Sequence, residues 1–148
     1  MTWLQTQLTN SPHKLFIQEG NNQYSYSNVV DMVATYSKAL LKEGIQAQDR
    51  ILIYLPSEVE LLEIMLACFE IGAVAAPISL KLTEKERNAI IKKIQPQLII
   101  TNWEHAPALI SLSFPLTPIE ELPNASSGCS VITNNYKKNL GDVAAIIL

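Results

Sequence analysis

The stretch from Gly44 to Pro77, GIQAQDRILIYLPSEVELLEIMLACFEIGAVAAP, does most to limit what this chain can fold into. Ile51 to Leu55 is a short, apolar, partly β-branched run between Asp49-Arg50 and Pro56, the form taken by a strand covered on both faces. Ser57 followed three residues later by Glu60 has the spacing of a capping box, so a helix is expected to start there. Leu61, Leu62, Met65, Leu66 and Phe69 recur at helical spacing, and Gly72 can leave a helix in the left-handed conformation. Ala73 to Ala76 then reads as a second strand. Two strands joined by a helix lie parallel with a right-handed crossover, so the expected class is α/β: a layered, parallel or mostly parallel sheet with flanking helices.

The flanking sequence extends this pattern. Lys14 to Gln18 and Gln23 to Tyr26 are β-prone runs separated by Glu19-Gly20-Asn21-Asn22, a hairpin signature. Trp3-Leu4 and the residues before Ser11-Pro12 suggest a short helix or turn. Ser27 is the expected cap of a helix whose stripe is Val29, Val33, Tyr36 and Leu40, closed by Gly44. Beyond Pro77, Thr83 and Glu86 repeat the capping box, Ile90, Ile91 and Ile94 make a buried stripe, and Pro96 ends the helix. Leu98 to Thr101 is a strand. Four prolines between Trp103 and Pro123 forbid a long element, leaving a short helix and connectors. Asn124 to Lys138 reads as a polar link with a short strand at Cys129 to Thr133. Val143 to Leu148 is an apolar strand that runs to the last residue, so the chain is expected to be cut from a longer one.

With 148 residues one domain is expected. A net charge of -3 gives no basic footprint for nucleic acid. Cys68 and Cys129 have neither metal-ligand nor CxxC spacing, which suits a reducing cytoplasm. No signal peptide opens the chain. The apolar region Leu61 to Leu80 carries Glu63, Glu70, Gly72 and Pro77, which a bilayer span would avoid.

In joint order, Tyr24-Ser25-Tyr26-Ser27-Asn28-Val29, Ala39-Leu40, Gly44-Ile45, Asp49-Arg50-Ile51, Leu55-Pro56-Ser57, Gly72-Ala73-Val74, Ala76-Pro77 and Leu82-Thr83-Glu84 with Glu86 resemble the amino-terminal part of the adenylate-forming acyl-CoA synthetases. Asp142 to Leu148 resembles the strand that in this family enters a Ser/Thr/Gly-rich phosphate loop ending in lysine. The resemblance therefore implies one amino-terminal subdomain over 1–148, cut just before that loop and inactive alone. Trp3-Leu4 with Ser11-Pro12, Ala67-Cys68-Phe69 and the run Lys81 to Arg87 look most like 2-succinylbenzoate:CoA ligases of menaquinone and phylloquinone synthesis.

The implied reaction activates a carboxylate on the α-phosphate of Mg-ATP with loss of pyrophosphate, and the thiol of coenzyme A then opens the acyl-adenylate. The implied cofactors of the full-length enzyme are ATP, Mg2+ and coenzyme A, none bound tightly by this segment. The implied partners are a small carboxylic acid and the remainder of its own chain, with a homodimer left open. The family's phosphate loop, metal-binding glutamate, ribose-binding aspartate and carboxy-terminal lysine all fall beyond Leu148, so no catalytic, cofactor-binding or metal residue is assigned within the chain.

Plainer roles suit the remaining candidates. His13 and His105 read as loop histidines, Cys68 as a packing residue and Cys129 as an idle thiol. Glu60, Glu63, Glu70, Glu84 and Glu86 read as caps and solvated faces, and Lys81, Lys85, Arg87, Lys92 and Lys93 as a solvated basic face. The competing functions are a fatty acyl-CoA ligase, an adenylation domain loading a carrier protein, and, outside enzymes, a stand-alone doubly wound binding module. The last lacks a Gly-rich βα turn or clustered strand-end acids at Leu55-Pro56-Ser57.

Overall fold

The computed structural model describes residues 3–122 and 141–147. Its centre is the expected strand–helix–strand unit: β3 (Arg50–Ile53), α3 (Val59–Ile71) and β4 (Val74–Pro77), with Ile51 opposite Ala75 and Leu52 opposite Ala76 in parallel register. Before it come α1 (Trp3–Asn10), an antiparallel hairpin of β1 (Leu15–Glu19) and β2 (Asn22–Ser25), and α2 (Tyr26–Lys42). After it, α4 (Glu84–Ile94) leads to β5 (Leu98–Thr101), which pairs with the other edge of β3. The sheet is completed by β6 (Leu116–Pro118), giving the order β4-β3-β5-β6, all parallel.

Alternation along β3 divides the core. Ile51, Ile53 and Leu55 face Val29, Val33, Tyr36 and Leu40 of α2 and Ile64, Ala67, Cys68 and Ile71 of α3. Leu52 and Tyr54 face the other way, onto Ile91 and Ile94 of α4 and onto Leu109. The two crossover helices thus cover opposite faces, as a change in the direction of strand progression requires.

Three local expectations hold. Thr83 caps α4 reciprocally with Glu86, the stripe Val29, Val33, Tyr36 and Leu40 is buried, and Gly72 ends α3 at φ +78. Others are corrected. Ser57 and Glu60 form no capping box: Glu58 is the cap residue of α3 without a side-chain bond, and the Val59 N–H instead donates to the Glu19 carboxylate at 2.9 Å. A partner 40 residues away supplies what the local sequence promised. Ser25, not Ser27, caps α2, because Asn28 takes the position and part that glutamate usually plays.

The buried side of α3 is also displaced. Glu63, Ile64, Ala67, Cys68 and Ile71 are buried, whereas Leu61, Leu62, Met65 and Phe69 are half-buried; of the expected stripe, Leu66 alone is fully covered. This helix is apolar on most of its circumference because it packs on both the sheet and α2, so periodicity does not identify the innermost side. Between Trp103 and Leu122 the expected short helix is replaced by 3-10 turns at Ala106–Ala108, Ile110–Leu112 and Ile119–Glu121, and the expectation missed β6. Proline is tolerated there because β6 is an edge strand, and the Pro115 carbonyl accepts the Ile99 N–H at 2.8 Å.

The apolar ending is partly strand-like. Ala145 forms one parallel bridge to Ala75: the Ala75 N–H donates to Ala144 at 3.0 Å and the Ile146 N–H to Ala75 at 2.8 Å, while Ile147 is 81% exposed. The strand expected at Cys129 to Thr133 lies outside the described residues.

Candidate functional site

Parallel strands bring their carboxyl ends to one edge, and here the chain leaves β3 toward one face and β4 toward the other. In open α/β sheets that reversal creates the crevice where ligands bind. The ends of β3 and β5 supply Tyr54, Thr101, Asn102 and His105, and α4 adds Arg87. Thr101 Oγ1 donates to the Tyr54 carbonyl at 2.9 Å, and the Tyr54 N–H donates to Ile100 at 2.9 Å, which locks the two strand ends together.

The hydrogen bonds of Asn102 fix the state of His105. The His105 backbone N–H donates to Asn102 Oδ1 at 3.0 Å, and Nδ1 of the same residue lies 2.6 Å from that oxygen. An amide oxygen only accepts, so Nδ1 carries the proton and Nε2 is the basic nitrogen of the neutral ring. The imidazole stands edge-on to Tyr54, with ring centroids 5.6 Å apart at 85°. Arg87 lies over the Tyr54 ring at 5.8 Å. Its Nη2 donates to the Ala108 carbonyl at 3.1 Å and its Nε to Asn88 Oδ1 at 3.2 Å. The guanidinium thus joins α4 to the turn after β5, and the edge offers hydrogen bonds, shape and one imidazole.

A second group of polar side chains lies on the opposite face. Glu63 of α3 is 3% exposed, and burial first, then the charges of Glu60 and Glu19, push its carboxyl up to about 8. Burial also raises the Tyr36 phenol, assisted by Glu63 and Glu60. Tyr24 is raised by desolvation and by the same three carboxylates. These groups meet where the hairpin, α2 and α3 converge.

The residues singled out from sequence are mostly scattered. His13 is exposed before β1, and Lys81, Lys85, Lys92 and Lys93 are exposed. Arg87 departs from that face and is buried, and Glu63 is no member of a solvated face; nothing in their spacing marked either one. Cys68 is buried in α3, and burial pushes its thiol up to about 12, the state of a packing residue. Cys129 lies outside the described residues. Among the described residues no group of three or more His, Cys, Asp and Glu side chains could hold a metal ion, and no helix is long and apolar enough to cross a membrane.

An α/β sheet with this order and a polar carboxyl edge defines a class of scaffold, and comparison with known proteins identifies the family. The AMP-binding enzyme family matches residues 4–140. The chain belongs to that family. A medium-chain fatty-acid–CoA ligase of Escherichia coli K12 is 30% identical over 123 residues, 82% of this chain and 21% of that protein. The human mitochondrial acyl-CoA synthetase short-chain family member 3 is 31% identical over 78 residues, 53% of this chain and 11% of that protein. Vanchrobactin synthetase VabF of Vibrio anguillarum is 29% identical over 96 residues, 65% of this chain and 3% of that protein. The chain therefore spans at most about a fifth of these relatives. Among solved structures, a Mycobacterium tuberculosis fatty acyl CoA synthetase superposes with a TM-score of 0.83 at 19% identity, covering 97% of this chain and 31% of that one. ATP-bound MatB from Rhodopseudomonas palustris gives 0.79 at 21% identity, covering 96% and 31%. The expected fold class, an α/β sheet of acyl-CoA synthetase type, holds.

Proposed function

We propose that this chain is the amino-terminal part of an AMP-forming acid:CoA ligase, and that a phosphate-binding loop follows Leu148. The observation that carries the reading is the parallel pairing of Ala145 with Ala75, which sends the chain toward the same edge as the ends of β3 and β5. A loop rich in backbone N–H groups at that edge meets ATP phosphates in the way α/β sheets commonly bind anions.

In the proposed reaction a carboxylate oxygen attacks the α-phosphorus of ATP, the bond to the β-phosphate oxygen breaks, and pyrophosphate leaves with the electron pair. The thiolate of coenzyme A then attacks the acyl carbon, and AMP leaves. Charge develops on phosphate oxygens, so positioned donors and Mg2+ supply most of the acceleration. The described residues contribute no metal-binding group, so this segment's part is to hold the edge: Thr101 and Tyr54 fix two strand ends, and Arg87 fixes the turn beyond β5.

Two substrate classes are proposed. The residues Trp3-Leu4, Ala67-Cys68-Phe69 and Lys81 to Arg87 favour 2-succinylbenzoate, and with it a cytoplasmic role in quinone synthesis. The Escherichia coli relative, matched over 82% of the chain, favours a medium-chain fatty acid equally. Loading of a carrier protein is the third outcome. Full-length protein incubated with ATP and each acid should release pyrophosphate, and the product assay should find a coenzyme A thioester. Pyrophosphate release without a thioester to coenzyme A would point to a carrier protein, and no acid-dependent release with any substrate would refute the proposal.

A further inference from the structure

We infer that Gln48 is a positioning residue that braces segment 143–147 against β4 and so sets where the proposed phosphate loop begins; this rests on the acid:CoA ligase reading above. Gln48 is the third residue of the turn Gln46–Asp49, which is closed by the Asp49 N–H donating to the Gln46 carbonyl at 3.2 Å and by the Gln46 N–H donating to Asp49 Oδ2 at 2.8 Å. Its φ is +66, a conformation that favours glycine. Among the described residues two other non-glycines have positive φ, and both end helices: Gln95 closes α4 and Ser113 closes a 3-10 turn. Gln48 ends none. It stands in a connector, where nothing in helix termination calls for the left-handed backbone.

The contacts of Gln48 supply a reason. Its backbone N–H donates to the Gly72 carbonyl at 2.7 Å. Its side-chain Nε2 donates to the same carbonyl at 3.3 Å and to the Val143 carbonyl at 3.4 Å. Both side-chain acceptors are carbonyl oxygens, so the amide must present nitrogen and not oxygen to them. One residue thus joins the turn before β3, the α3–β4 corner and a segment 95 positions later in the chain. Val143 directly precedes Ala144 and Ala145, which make the single bridge to Ala75. With one bridge and one side-chain brace at its amino end, the segment is held at two points, and a shift of the first moves whatever follows the second. Left-handed backbone at a non-glycine costs free energy, and strain of this kind persists where surrounding contacts hold it.

The test uses full-length protein and three variants. Gln48→Gly relieves the backbone and removes the brace, Gln48→Asn tolerates the left-handed turn but is too short, and Gln48→Glu keeps the length without the donor. Amide exchange at Ile146 should quicken about fivefold in all three, the factor expected for one neutral hydrogen bond. KM for ATP in acid-dependent pyrophosphate exchange should rise about threefold or more, with kcat within about twofold and Gln48→Gly unfolding no more readily than wild type. Exchange at Ile146 and KM for ATP both within about twofold of wild type in Gln48→Glu and Gln48→Gly would overturn the inference, as would faster exchange with KM unchanged. If wild type shows no acid-dependent exchange, the ligase reading fails separately, and slow Ile146 exchange in Gln48→Glu then overturns the brace as well.

Discussion

The two faces of the sheet each bury one ionisable side chain and treat it oppositely. On the α4 face Arg87 keeps its guanidinium among acceptors: the Ala108 carbonyl, the Asn88 amide oxygen and the Tyr54 ring. On the α2/α3 face Glu63 is surrounded by Tyr36 and by other carboxylates, and its carboxyl responds by holding its proton to about pH 8. Burial of charge is expensive without donors or acceptors to receive it, so one face supplies partners and the other changes protonation.

Removing the partnered group should have the largest effect. Arg87→Ala should lower the unfolding free energy by about 3 kcal/mol, because it leaves the Ala108 carbonyl and the Tyr54 face uncovered. Arg87→Met, which keeps the stem, should recover about half of that in urea titrations. Equal losses for the two would mean that packing contributes nothing and the hydrogen bonds everything.

Glu63 gives the next effect, and it depends on pH. The unfolded carboxyl titrates near 4.5 and the folded one at about 8, so the folded state binds more protons between those values. Stability from this group is therefore fully present below pH 4.5 and is lost as pH rises through 8. Glu63→Gln should flatten that decline and unfold at about 2 kcal/mol greater free energy than wild type at pH 9, with little difference at pH 4. Parallel pH profiles for the two proteins would show that Glu63 is ionised in the native state, and the contrast with Arg87 would collapse.

Smaller effects separate local from long-range capping. Thr83→Ala should cost about 1 kcal/mol and so should Glu19→Ala, each by removing a helix cap. Ser57→Ala should stay within about 0.5 kcal/mol, since Ser57 caps nothing. Thermal unfolding of the three variants side by side decides the order.

That last contrast shows what could be read from the sequence. The box at Thr83 and Glu86, the left-handed exit at Gly72 and the α2 stripe are encoded within a few residues of one another, and each was legible. The cap on α3 was not, because its acceptor arrives from the hairpin, and Ser57 imitated it at the right spacing. β6 was hidden by prolines that only an edge position tolerates. Arg87 and Glu63 looked like surface residues because charge at helical spacing says nothing of what a neighbouring element will cover. The candidate edge was the least legible part: Tyr54, Asn102 and His105 come together through strand order, which no local pattern carries.

Pro77 has a further consequence. Successive residues of β4 direct their N–H groups to alternate sides, and the Ala75 N–H points outward to Ala144. The next outward position is Pro77, which has no N–H to give, and the far rim of the sheet ends in Pro118. Both rims thus lack the donor that would let a foreign strand zip onward, so this small sheet is poorly suited to templating fibrils even where its margins are bare.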